Sequence, residues 1–74
     1  MQSWRIPFPH EDLKLEIIES FQASTGMVQV KLKGDYTHLT EFYQRWMKYF
    51  PEMPYDPWGR YKGDVLTVGH YGND

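Results

Sequence analysis

Between residues 37 and 50, Leu39, Phe42, Tyr43, Trp46, Met47 and Phe50 recur at intervals of three and four. That spacing places all six side chains on one face of an amphipathic α-helix. Thr40, Glu41, Gln44, Arg45 and Lys48 take the opposite face, and Glu41 precedes Arg45 by four residues, the orientation that favours an ion pair. Asp35 or Thr37 is expected to cap the start by accepting a hydrogen bond from a free backbone N–H. Pro51 stops the helix, and Lys48 in its last turn complements the helix dipole. A helix with so broad an apolar stripe needs a second apolar layer, and the remaining residues must supply it.

That layer reads as β-structure. Val28, Val30 and Leu32 alternate with Gln29, Lys31 and Lys33, the pattern of a half-buried strand. Ahead of it, Leu13, Leu15 and Ile17 alternate with Lys14 and Glu16. Leu13, Ile17, Ile18 and Phe21 also fit one helical face, but Lys14 would sit in the middle of that face, so the strand is favoured. Ser24-Thr25-Gly26 supplies turn chemistry, and residues 13–33 are therefore expected to form a β-hairpin. With Thr25-Gly26 as the turn, Phe21 faces Val30 but Glu19 lands opposite Leu32. A bulge near Ile18-Glu19 would restore the inward pattern.

Residues 1–12 read as an extended arm. Pro7 and Pro9 each remove a backbone donor, and Trp4, Ile6 and Phe8 alternate, so the arm suits a short edge strand with one apolar side. Residues 51–63 read as an aromatic and proline-rich loop. Val65, Leu66, Thr67 and Val68 begin a closing strand over 64–71, and a brief strand at Arg60-Tyr61-Lys62, turning at Gly63-Asp64, is placed to pair with it. The tail at 72–74 is expected to fray. The expected fold class is a small α+β two-layer domain: a β-hairpin, one amphipathic helix, and a closing C-terminal strand or short hairpin, in the order β-β-α-β.

At 74 residues the chain has room for a single domain. A domain of this size buries only about 60% of the surface its unfolded chain exposes, which leaves a thin stability margin. There is no cysteine, so disulfides cannot widen it. Four Phe, three Trp and six Tyr offer a different support, because each buried ring removes roughly 150–250 Å² from water. A formal charge of −2 is too balanced to imply general attraction to nucleic acid or an anionic membrane. No apolar stretch approaches membrane-spanning length, and no signal-peptide pattern opens the chain. A soluble, cytoplasmic protein without a membrane role is the expectation.

Residues capable of chemistry are present but not in the spacings that chemistry needs. His10, His38 and His70 belong to no metal-binding pattern, and His10-Glu11-Asp12 points its neighbours in different directions. His38 is expected to be exposed, and His70 to lie within reach of Asp64 or Asp74. The serines lack a nucleophile elbow, and the glycines follow neither phosphate-binding order. An enzyme, a metal site and a cofactor are therefore not expected.

The distinctive segment is Tyr55-Asp56-Pro57-Trp58-Gly59-Arg60-Tyr61-Lys62. Trp, Tyr and Arg dominate interface hot spots, and prolines lower the ordering cost of binding. The expected function is a non-enzymatic protein-interaction or regulatory module using Tyr55, Trp58, Arg60, Tyr61 and Lys62, with a protein partner or self-association such as a symmetric dimer. The alternative is a single-stranded nucleic-acid binder, in which Trp58 and Tyr61 stack on bases while Arg60, Lys62, Lys31 and Lys33 meet phosphates. A continuous positive stripe would favour the second reading; a mixed surface interrupted by carboxylates would favour the first. The competing structural expectation is that Tyr55 and Trp58 cover an open end of the core.

Overall fold

The structure is a computed structural model that describes residues 2–50 and 57–70. The described residues form an α+β domain with one antiparallel sheet and one helix. The elements run β1 (Gln2–Ser3), β2 (Leu15–Gln22), β3 (Val28–Gly34), α1 (Tyr36–Tyr49), β4 (Pro57–Lys62) and β5 (Val65–His70). The two-residue β1 only extends the edge of a four-stranded core sheet, in the spatial order β1-β2-β3-β5-β4. Because β3 and β4 both pair antiparallel with β5, they run in the same direction on either side of it.

The first hairpin forms as the alternation implies, but in a different register. The Gly26 N–H donates to the Ala23 carbonyl (2.9 Å), and the Ala23 N–H donates to the Met27 carbonyl (2.8 Å). Ser24-Thr25 is therefore the centre of the turn, and Gly26, at φ 93°, is an extra left-handed residue. That single residue puts Phe21 opposite Gln29 and Ser20 opposite Val30. Phe21 thus lies on the face away from Val30, which corrects the expected pairing: a one-residue slip exchanges the faces. The anticipated bulge is present at Ile18, between the pairs Ile17–Leu32 and Glu19–Lys31. It returns Ile17 to the core-side face and leaves Glu19 facing out.

The second hairpin is longer than the brief strand expected at 60–62, since β4 begins at Pro57, inside the segment read as loop. Gly63, at φ 63°, and Asp64 join it to β5, with glycine first as a type II′ turn requires. The element order is therefore β-β-α-β-β. Residues 51–56 of the expected loop, and 71–74 of the tail, lie outside the described residues.

The helix matches its stripe. Leu39, Phe42 and Trp46 are fully buried and Phe50 nearly so, against Val28, Val30 and Leu32 of β3 and Leu66 and Val68 of β5. Asp35 occupies the N-cap position but makes no side-chain capping bond; its carbonyl accepts the Leu39 N–H (2.9 Å) instead. Thr37 lies inside the helix, so neither side chain caps as expected. Gly59 decides how closely helix and β4 approach, because an added Cβ would run into the Tyr43 ring.

Only the first residues of the arm act as an edge strand: Gln2 and Ser3 pair with Gln22 and Phe21. The Trp4 N–H donates to the Ser20 carbonyl (3.2 Å), and the Ser20 hydroxyl donates back to the Trp4 carbonyl. The chain then packs against the helix. Trp4 meets Trp46 edge-on at 5.6 Å, and the Phe8 ring lies 5.3 Å from Phe42 and 5.6 Å from Tyr49. Ile6 and Phe8 are buried, so the arm completes the core beside the helix. Arg45 holds it there with paired bonds to both Asp12 carboxylate oxygens (2.9 Å each) and one to the Pro9 carbonyl (3.2 Å), while its Nε meets Glu41 at 3.0 Å.

Candidate functional site

The segment singled out in the sequence becomes the outer strand of the sheet. Among the described residues no strand pairs with the far side of β4, so its outward N–H and C=O groups form an open edge. Strand geometry sends alternate side chains to opposite faces. Tyr61, opposite the buried Leu66, projects to the helix side, and Trp58, Arg60 and Lys62 project to the other. The candidate residues therefore share one strand but do not form one cluster. Tyr55 lies outside the described residues.

On the helix side, Tyr61 stands between two helical tyrosines. Its ring is 5.4 Å from Tyr36 and 6.2 Å from Tyr43, and its hydroxyl lies 3.4 Å from the Thr40 hydroxyl. Tyr36 is 69% exposed and Tyr61 38%, so an aromatic ledge overlooks the open edge. Sequence reasoning did not include Tyr36 or Tyr43 in the site. The signal was there in part, since the helical wheel puts Tyr36, Thr40 and Tyr43 along one flank.

Among the described residues no helix covers the other face, and the pairing register arranges its side chains in three cross-strand rows. The first row is Phe21, Gln29, Gly69 and Trp58; the second is Glu19, Lys31, Thr67 and Arg60; the third is Glu16, Lys33, Val65 and Lys62. Trp58 is half-buried and lies over Gly69, where an added Cβ would come 2.7 Å from its ring. It therefore packs on the face opposite the helix-side core instead of covering that core.

The four cations do share this face, but they do not make an uninterrupted positive stripe. Glu19 and Glu16 stand directly opposite Lys31 and Lys33, an arrangement that stabilises neighbouring strands. Lys33 also meets Asp64 at 3.8 Å. Arg60 and Lys62, both exposed on the edge, have no acidic partner among the described residues. Of the four cations on this face, Arg60 and Lys62 are the two with no carboxylate opposite them in the pairing register.

The histidines contribute no centre. His70 ends β5 buried among Phe50 (4.4 Å between rings), Trp46 and Trp4, instead of approaching Asp64. Its Nδ1 has no hydrogen-bond partner among the described residues. His38 is half-buried, and its Nδ1 accepts the Lys14 N–H (3.2 Å). His10 Nδ1 lies 3.0 Å from the Phe8 carbonyl. Among the described residues no three acidic or histidine side chains converge as metal ligands, and no helix is long and apolar enough to cross a membrane.

Two surface clefts flank the arm. One, of about 490 Å³, is bordered by Phe8, Pro9, Arg45, Lys48 and Tyr49. The other, of about 420 Å³, lies between the arm and β2, with Trp4, Ile6, Ile17 and Ser20 in its walls. The Asp12 carboxyl beside Arg45 is held at a pKa of about 2, chiefly by the hydrogen bonds it accepts from the guanidinium. This pair acts as a clamp on the arm. Compared with known proteins, the chain matches no family model, no curated sequence and no solved structure.

Proposed function

We propose that this protein is a non-enzymatic interaction module that binds an extended, acidic segment of a protein partner along the outer edge of β4. The observation that carries the reading is the position of Trp58, Arg60, Tyr61 and Lys62, all four on a strand whose outer side pairs with no strand among the described residues. A peptide added to such an edge gains main-chain hydrogen bonds, and its alternating side chains read the surfaces above and below. Here one set would meet the Tyr36–Tyr61 ledge and the other Arg60 and Lys62. The added strand offers affinity through its backbone and selectivity through acidic residues at alternate positions. Contact along one six-residue strand is small, so a weak, reversible association is expected.

A titration of labelled protein with an extended acidic peptide, followed by backbone amide NMR, tests this. Binding at the edge moves the amides of Trp58 to Lys62 and leaves the buried strand β3 nearly still. Unmoved β4 amides at millimolar peptide would remove the reading.

The second reading, single-stranded nucleic acid, is favoured by one observation: four cations and Trp58 share the helix-free face. Glu16, Glu19 and Asp64 weigh against it, because they leave only Arg60 and Lys62 uncompensated. Two phosphate contacts would give a log–log salt slope of about −1.4 on a single strand. Anisotropy of a labelled oligonucleotide at two salt concentrations separates the readings. A much steeper slope with micromolar affinity would place nucleic acid first.

A further inference from the structure

Resting on the same β4 edge as the reading above, we infer that two copies of this chain close that edge on each other. Their β4 strands pair antiparallel about a two-fold axis through Gly59. An acidic segment then competes with the second copy for the edge.

Backbone geometry restricts how two β4 strands can meet. The two-residue Gly63-Asp64 turn makes Lys62 and Val65 a hydrogen-bonded pair. The Gly34 N–H donates to the Asp64 carbonyl at 3.2 Å, so Asp64 is turned towards β3 and its neighbour Val65 towards β4. By alternation the main-chain groups of Lys62, Arg60 and Trp58 point inwards to β5, and those of Tyr61, Gly59 and Pro57 point outwards. A two-fold partner can bond only outward groups to outward groups, so the axis passes through a residue and not between two.

Charge and hydrogen bonding select among the residues that remain. An axis through Arg60 sets the two Arg60 side chains against each other, and one through Tyr61 sets Arg60 against Lys62. With the axis at Gly59, each Arg60 instead lies opposite Trp58 of the second copy, on the helix-free face. These are non-hydrogen-bonded positions, where facing side chains come closest, and a guanidinium over an indole face is an attractive pair. Arg60 is exposed and Trp58 half-buried, so both present surface to that contact. The two Gly59 residues exchange both their bonds, and each Tyr61 N–H donates to the Pro57 carbonyl of the other copy. Proline, which has no N–H, stands where its carbonyl alone is used. Moving the axis to Trp58 loses the Tyr61 bonds.

The helices leave room for this contact. The axis is perpendicular to the sheet, so both helices lie on one side of it. Each buries its stripe against β3 and β5. At about 4.8 Å between strands, helices over their own β5 strands stand roughly 14 Å apart, wider than the about 8–10 Å of directly packed helices. Tyr36, Tyr43 and Tyr61 of each copy line the interval, Tyr36 being 69% and Tyr61 38% exposed in the single chain. The contact closes on itself, so association stops at two chains. Both copies carry the same edge cations and the same net charge of −2, so salt screens a repulsion and strengthens the dimer, whereas it weakens the hold on an acidic peptide.

The experiment is sedimentation equilibrium of the full chain over a concentration series, at low and high salt, beside amide hydrogen exchange by NMR at both ends of the series. The mass should rise from one chain and level at two, at lower concentration in high salt. The Gly59 and Tyr61 amides should exchange at least tenfold more slowly at high concentration, while Arg60 and Lys62, already bonded to β5, stay unchanged. R60A, at an exposed position, should weaken the dimer about tenfold at high salt, because two symmetry-related contacts are lost together. A monomer at every concentration overturns the inference, as does a mass that climbs past two. So does a dimer in which Gly59 and Tyr61 exchange no more slowly, or R60A that associates like the wild type. The acidic-peptide titration is run at a concentration where the chain is monomeric. Movement of the β4 amides there, with no dimer at any concentration, removes this inference alone; a dimer whose β4 amides ignore the peptide removes only the acidic-segment reading.

Discussion

The N-terminal arm and β4 are built from similar material and meet opposite fates. Both are extended, both carry tryptophan and proline, and both alternate along the strand. In the arm the alternate positions are Trp4, Ile6 and Phe8, and Ile6 and Phe8 are buried while Trp4 packs on Trp46. In β4 the alternate positions are Trp58, Arg60 and Lys62, and the last two stay in solvent beside an open edge. Prolines and rings therefore do not by themselves mark a recognition surface. What separates the two segments is whether the rest of the chain provides a complementary wall. The arm has the helix flank and the Arg45 clamp; among the described residues β4 has a neighbouring strand on its inner side only.

The largest effect expected from breaking this contrast is at the shared centre. Trp46 touches the arm, the helix core and β5, donating its indole N–H to the Gly69 carbonyl at 3.3 Å. Trp46→Ala should cost about 3–5 kcal/mol, enough to unfold most of so small a domain. Thermal and urea melts by circular dichroism would reveal it, and a variant that melts like the wild type would refute the packing described.

Next comes a direct comparison of the two segments. Phe8→Ala should cost about 3 kcal/mol, because a buried ring is lost from between Phe42 and Tyr49. Trp58→Ala, at a half-buried site on the helix-free face, should cost about 1–2 kcal/mol and leave the fold intact. The reverse ranking in urea titrations would mean that Trp58 is the structural ring and the arm the dispensable one.

A smaller effect tests how closely β4 sits under the helix. Gly59→Ala places a methyl group against the Tyr43 ring and should cost about 1–2 kcal/mol. Tyr43→Ala in the same chain should relieve most of that added cost, and a double-mutant cycle without coupling would contradict the contact.

The smallest effect concerns the clamp. Asp12 has its pKa lowered from the ordinary 3.8 to about 2 in the folded chain. The carboxylate's contribution is therefore fully present above about pH 4 and is lost as pH falls through about 2. The arm should loosen in that window, seen as a shift of the Trp4 indole N–H resonance, and Asp12→Asn should remove this transition. An unchanged low-pH transition in that variant would assign it to other carboxyl groups.

Part of this was legible in local sequence. The helix over 36–49, the two strands before it and the Gly63-Asp64 turn follow from side-chain periodicity and turn chemistry, which act within a few residues. The Glu41–Arg45 pair follows the same rule, at 3.0 Å. The edge residues of the candidate site were legible as a cluster of types, yet their division between two faces was not. That depended on β4 beginning at Pro57, in a segment whose prolines and glycine read locally as loop.

What the sequence determined by itself was the helix with its apolar face, the two strands of the first hairpin and the closing strand, because periods of 3.6 and 2 are properties of the chain alone. Tertiary structure decided the rest. The Gly26 left-handed residue set the register that moved Phe21 away from Val30. The pairing of β5 between β3 and β4 made β4 an edge, and the apolar flank of the helix turned an arm into core. The first is a local turn whose one extra residue exchanges faces along the whole pairing; the other two depend on contacts between residues far apart in sequence, where a neighbouring strand or wall outweighs local preference.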